Sequence, residues 1–200
     1  MGDSVTINGN IVENCGDVGI DFEGTTNGIA VGNSVKDCQN GCLSTFFYCK
    51  NIVFEGNAVR QTGTNGTVVY FSNNNTQSMM SGTSISLIGN TFQCDTLGST
   101  VHSATEFTII ESNKFYNCKL NMQTNNAGEV AITNNYLYFT NEITGDSALR
   151  AGQTSYRNLT IKDNIIKALV ASNSDNVYGI YVLQEYFSSI TKSYIVWELS

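Results

Sequence analysis

The sequence predicts an all-β chain: a right-handed, single-stranded parallel β-helix of about eight coils with loop insertions. Three observations predict it. One asparagine recurs along the chain with fixed apolar neighbours. Gly and Asn punctuate short β-branched and aromatic runs. No window carries the i, i+3, i+4, i+7 apolar pattern of an amphipathic helix.

The recurring asparagines are Asn10, Asn33, Asn57, Asn90, Asn113, Asn135 and Asn164, with Ser193 in the eighth place, at spacings of 23, 24, 33, 23, 22, 29 and 29 residues. Three places before each lie Ile7, Ala30, Phe54, Leu87, Ile110, Ile132, Ile161 and Ile190. Two places after lie Val12, Val35, Val59, Phe92, Phe115, Leu137, Ile166 and Ile195. A coil of about 22 residues holds three short strands, and coils stack at about 4.8 Å, so equivalent side chains pile into columns. The two apolar columns are expected inside. The asparagines are expected in a tight turn, tolerating left-handed backbone and bonding to the amides above and below. Gly9, Gly32, Gly56 and Gly89 precede the anchors, which suits a turn with positive φ. Right-handedness follows from the crossover rule for parallel strands.

Five places after the anchors come Cys15, Cys38, Thr62, Cys118 and Thr140, with Cys94 one place early. A small, semi-polar residue in an inward stack accounts for this column. The six cysteines therefore read as reduced, packed thiols rather than a disulfide framework. The longer spacings mark residues 62–84, 140–156 and 168–178 as candidate loops. The whole chain reads as one domain, 1–200, with 186–200 a candidate cap or subunit contact. No cap precedes Val5, which suggests upstream coils or burial of that end in an oligomer.

The chain has no proline, is 14% charged and carries a formal net charge of -7. No basic cluster is present to neutralise phosphates, so nucleic acid is not an expected partner. The apolar runs are too short to span a membrane, and the first residues lack the pattern of a signal peptide. No cysteine–histidine spacing suggests zinc, His102 is the one histidine, and neither a metal nor a cofactor is expected.

The candidate chemistry lies on outward positions after each anchor. In Gly19-Ile20-Asp21-Phe22-Glu23-Gly24, alternation puts Ile20 and Phe22 inside and Asp21 and Glu23 outside. Their Cα atoms are expected about 6.6–7 Å apart. Carboxylates about 6.5–9.5 Å apart suit inverting glycoside hydrolysis, one acting as acid and one as base. Following the strand upward, with Leu43 and Thr45 read as outward, gives Thr45, Tyr70, His102, Gln123, Arg150 and Tyr181 as candidate substrate contacts. Aromatic faces, amides and a guanidinium suit a long, acidic polysaccharide. The same polar stripe also fits an ordinary solvated sheet face.

The run from Asn14 to Gly24, followed by Ile29-Ala30-Val31-Gly32-Asn33, resembles the pectate-lyase-like parallel β-helix superfamily, and most of all bacteriophage tailspike β-helix domains. The resemblance implies a homotrimer in a phage tail, made in the host cytoplasm, that adsorbs to the host and binds or cleaves bacterial surface polysaccharide. Asp21 and Glu23 would fill exposed carboxylate positions on its long sheet. Three other readings stay open: a non-catalytic glycan-binding adhesin, a structural tail-fibre shaft, and a polysaccharide lyase.

Overall fold

The computed structural model describes residues 2–63, 66–72, 80–103, 105–122, 128–143, 147–152, 158–169, 178–183, 190–191 and 194–197. Of these, 80–81, 101–103, 152, 178, 183, 190–191 and 194–197 are described by their backbone alone. Every strand pairing is parallel, and the chain winds as a parallel β-helix with three strand faces.

The first face runs through β1 (Thr6–Asn8), β4 (Ile29–Val31), β7 (Ile52–Glu55), β10 (Met80–Ile88), β12 (Thr105–Glu111), β14 (Glu129–Thr133), β17 (Asn158–Lys162) and β20 (Ile190–Thr191). The second runs through β2 (Ile11–Glu13), β5 (Ser34–Lys36), β8 (Ala58–Gln61), β11 (Thr91–Ser103), β13 (Lys114–Met122), β15 (Tyr136–Phe139), β18 (Ile165–Ala168) and β21 (Tyr194–Trp197). The third comprises β3 (Val18–Glu23), β6 (Gly41–Phe46), β9 (Thr67–Ser72), β16 (Ser147–Gly152) and β19 (Tyr178–Leu183). The far ends of β11 and β13 complete it, between β9 and β16.

Both apolar columns hold in register. Ile7 pairs with Ala30, and the line continues through Phe54, Leu87, Ile110, Ile132, Ile161 and Ile190. Val12 begins the second line, which runs through Val35, Val59, Phe92, Phe115, Leu137, Ile166 and Ile195. From the second rung to the seventh, both lines are buried. Like side chains meet face to face along them: the Phe92 and Phe115 rings stack at 5.0 Å and 11°.

Between these faces lies the asparagine ladder. Asn33 donates from both its backbone N–H and its Nδ2 to Asn57 Oδ1, each at 2.9 Å. Its Nδ2 also donates back to the Ile7 carbonyl at 3.0 Å. Asn57, Asn90, Asn113 and Asn135 repeat the scheme up to Asn164. The left-handed turn residue is not the asparagine itself. It is the residue before it, Gly9, Gly32, Gly56, Gly89, Ser112, Asn134 or Asp163, at φ of 54 to 66°. The anchor is conserved in the repeat for its amide, which satisfies groups that the turn would otherwise bury unpaired.

The cysteine column holds in part. Cys38, Cys94 and Cys118 are buried and Cys15 is half-buried, all as free thiols. Thr62 and Thr140 instead face solvent. The reason is local. Asn14, Asp37 and Asn117 take φ of 52 to 56°, and this bend turns the next residue, a cysteine, inward. Where the chain stays extended, plain alternation turns in the fourth residue after the anchor, as at Gln61 and Cys94. Gln61 satisfies its amide by donating to the Cys38 and Thr67 carbonyls at 2.7 and 2.9 Å.

Residues 62–84 and 140–156 are not simply loops, because β9 and β16 lie within them and form part of the third face. In the 186–200 segment, β20 and β21 add an eighth rung to the stack. Ser193 falls outside the described residues, as does nearly all of 168–178.

Gly19 marks a close approach. A Cβ there would sit 2.5 Å from Val35 Cγ1, 2.7 Å from the Cys42 carbonyl oxygen and 2.8 Å from Cys38 Sγ. One of these is backbone and cannot rotate away. Gly19→Ala is therefore expected to cost about 2–3 kcal/mol by overpacking. Gly9→Ala, a site with open space but positive φ, serves as comparison and should cost about 1 kcal/mol. Urea denaturation of the two variants reads the difference.

Candidate functional site

The third face presents one outward column. Pairing places Asp21 beside Ser44, Ser44 beside Tyr70 and Tyr70 beside Val101. The line continues through Asn121, Arg150 and Tyr181. The neighbouring line, Ile20, Leu43, Val69, Thr100, Leu120, Leu149 and Ile180, faces the core. At about 4.8 Å per rung, Asp21 and Arg150 stand about 24 Å apart along the helix axis.

Of the residues that the sequence singled out, Asp21, Tyr70, Arg150 and Tyr181 share this column. Glu23 lies two residues along β3 and is exposed. Thr45 does not face outward. It is fully buried in the inner row between Phe22 and Phe71, as is Leu43 in its own row. Ser44 takes the place beside Asp21 in the column and is itself fully buried. Asp21 and Ser44 stand equally far beyond Asn10 and Asn33, so a direct count from the anchors carries the signal. His102 pairs through its backbone with Phe71, the register neighbour of Thr45. Gln123 lies outside the described residues, and Asn121 occupies the outward position on its strand.

Asp21 is the electrostatically unusual member. Its carboxyl is pushed up from the ordinary 3.8 to about 7. Burial is the largest cause, followed by the Glu23 charge, contact with the Glu23 carboxyl and the more distant Asp17 charge; the Phe22 N–H, donating to Asp21, pulls the other way. Asp17 itself accepts a 2.7 Å hydrogen bond from Asn40 Nδ2. The Asp21 and Glu23 carboxyls touch, so the hydrolase spacing of about 6.5–9.5 Å is not the resting geometry. Glu23 is exposed and free of ion pairs among the described residues, so its side chain can rotate outward.

Polar atoms without partners concentrate here. Asp21 Oδ1, Ser44 Oγ and Asn121 Oδ1, all in this column, are buried with no hydrogen-bond partner, as are the hydroxyls of Thr45 and Ser147 on the same strands. Such groups normally find a partner. An aromatic wall stands beside the acids. Phe46 is the register partner of Glu23, and its ring lies 5.6 Å from Tyr70 and 6.1 Å from Phe47. Left-handed backbone at Phe47 and Tyr48 swings both side chains out, leaving them 39% and 54% exposed. The consecutive run Phe46-Phe47-Tyr48 was the signal for this wall. At the other end, the Arg150 guanidinium lies 5.8 Å from the centre of the Tyr181 ring, a cation–π contact.

Among the described residues, no group of three or more His, Cys, Asp or Glu side chains is arranged to hold a metal ion. Protein-family models, curated proteins and solved structures give no match to this chain.

Proposed function

We propose that this chain is a tailspike-type domain that binds a bacterial surface polysaccharide along its third face and hydrolyses a glycosidic bond at Asp21 and Glu23. In this reading the domain works as a homotrimer in a phage tail during host adsorption. The observation that carries it is the raised Asp21 carboxyl, set in a column of unsatisfied polar groups and beside exposed aromatic rings. An acid titrating near 7 holds its proton in about half of the molecules at neutral pH and can deliver it to a leaving oxygen. Glu23, rotated away from Asp21 by the incoming sugar, activates the water. Phe46, Phe47 and Tyr70 supply stacking faces. Arg150 with Tyr181 grips an acidic group.

One observation favours the non-catalytic adhesin instead: the resting carboxyls touch, which is closer than the inverting spacing of about 6.5–9.5 Å. A lyase is less well supported, because its proton-abstracting base would have to lie near Asp21, and Arg150 is about 24 Å away.

The test incubates purified protein with a panel of capsular and lipopolysaccharide glycans and measures new reducing ends. Hydrolysis should appear with one glycan and fall by about 10²–10⁴ in both Asp21→Asn and Glu23→Gln. Binding with no new ends supports the adhesin. Ends accompanied by ultraviolet absorbance of an unsaturated sugar support the lyase. Absence of binding to any glycan ends the carbohydrate reading and leaves the shaft.

A further inference from the structure

A second surface feature lies around the corner from the acidic column. An open pocket of about 520 Å³ is lined by Asn14, Cys15, Gly16, Asp37, Cys38, Gln39, Gln61, Thr62 and Gly63. Two of its lining residues are free cysteines on adjacent coils. The backbone fixes their relation: Asn14 N–H donates to the Lys36 carbonyl at 3.0 Å, and Gln39 N–H donates to the Cys15 carbonyl at 3.0 Å. These bonds bracket Cys15 and Cys38 and stack one above the other. Adjacent rungs lie about 4.8 Å apart, inside the Cα window of about 4.4–6.8 Å that a disulfide needs.

A third thiol, Cys42, hydrogen-bonds to Cys38, whose sulfur sits in the space that Gly19 leaves open. Cys15 is half-buried at the pocket, while Cys38 and Cys42 are buried. Nothing in the glycan reading uses these groups.

We propose that Cys15 and Cys38 form an oxidative modification site, in which a small peroxide entering the pocket joins them as a disulfide between the first two coils. The Cys38 sulfur attacks one peroxide oxygen, the O–O bond breaks and hydroxide leaves. Cys38 is then a sulfenic acid. The Cys15 sulfur attacks the Cys38 sulfur, the S–O bond breaks, and the hydroxyl departs with the Cys15 proton as water. Two thiols lose two electrons in all, and the peroxide is reduced to two waters. Cys38 is suited to the first step. Hydrogen bonds from the Cys42 thiol, and then from Cys15, hold it below the usual thiol range despite burial. Cys15 is pushed up by burial and by Cys38, and remains a thiol that attacks second.

The test treats the reduced, folded full chain with hydrogen peroxide, blocks remaining thiols with a maleimide, and maps tryptic peptides without reductant. The expected product is a crosslink between the peptide ending at Lys36 and the peptide 37–50, with two thiols lost per chain and both restored by dithiothreitol. Asp37 follows the cleaved bond, so a glutamyl endoprotease digest serves as a second map. The crosslink should vanish in Cys15→Ser and persist in Cys42→Ala with slower formation. A disulfide confined to peptide 37–50, or sulfinic acid on Cys38 with Cys15 still alkylatable, would overturn the assignment. So would unchanged thiol content after peroxide.

Discussion

Asn90→Ala is expected to destabilise the protein by about 3–5 kcal/mol, close to the limit a single polar substitution can reach. Asn90 is fully buried. Its Oδ1 accepts from the Asn57 backbone N–H and from Asn57 Nδ2, both at 2.9 Å. Its Nδ2 donates to Asn113 Oδ1 at 3.0 Å and to the Phe54 carbonyl at 2.9 Å. Alanine removes all four bonds and strands two donors of Asn57 below it, with no solvent to replace them. Asn90→Asp is expected to be worse at neutral pH. Its second oxygen replaces a donor and faces two acceptors, Asn113 Oδ1 and the Phe54 carbonyl, as a buried charge. That carboxyl's pKa is raised by folding, so the variant recovers stability below the ordinary carboxylate range, where a proton restores one donor, and loses it as pH rises. Asn10→Ala gives the contrast. Asn10 is exposed at the first rung and nothing described lies below it, so its loss should cost about 1 kcal/mol or less. Urea midpoints for the three variants, each at pH 4 and pH 7, distinguish a stacked ladder from seven independent turns: equal costs for Asn10→Ala and Asn90→Ala would refute the ladder.

The same ladder explains what the sequence could tell and what it could not. From Ile7 through Asn10 to Val12 the chain turns one corner in a fixed number of residues, and every coil repeats it. Stacking selects the same side chain at each level, so the period shows directly in the letters. The corner after Val12 is different. It bends through a left-handed residue at Asn14, Asp37 and Asn117 but continues extended at Gln61 and Cys94, so the inward place shifts by one. The segment leading to the third face also varies in length, long before Tyr70, Arg150 and Tyr181 and short before Asn121. Tyr70, Arg150 and Tyr181 were nevertheless placed on the outward column, because outward positions are marked by polarity or large rings. Thr45 was misplaced because Ser44 and Thr45 are interchangeable by that criterion, and only the backbone pairing of Asp21 with Ser44 separates them. The Asp21–Glu23 pair was legible as a face. Its carboxyl contact was not, since Cα spacing along a strand leaves the side-chain torsions open.

Asp21→Asn should raise stability at neutral pH and above while abolishing the proposed cleavage. The Asp21 carboxyl titrates at about 7 in the folded chain against an ordinary 3.8, so folding favours its neutral form. A group with a raised folded pKa contributes its full stability below about pH 4, and that contribution is lost as pH rises through about 7. The full linkage would be about 4 kcal/mol. Solvent reaches Asp21 and screens it, leaving about 1–2 kcal/mol. Asp21→Asn is neutral at every pH and escapes the loss. Its melting temperature should match the parent near pH 4 and exceed it by about 2–8 °C at pH 8. Glu23→Gln removes a neighbouring charge but not the burial, which is the largest cause, so it should flatten the pH dependence only in part. A carboxylate kept for structure would behave in the opposite sense, losing stability when neutralised. A carboxylate held in an unfavourable, half-buried place at the cost of stability is the pattern that active sites show. If Asp21→Asn melts at or below the parent at pH 8, the raised carboxyl is absent, and with it the proton that the proposed cleavage requires.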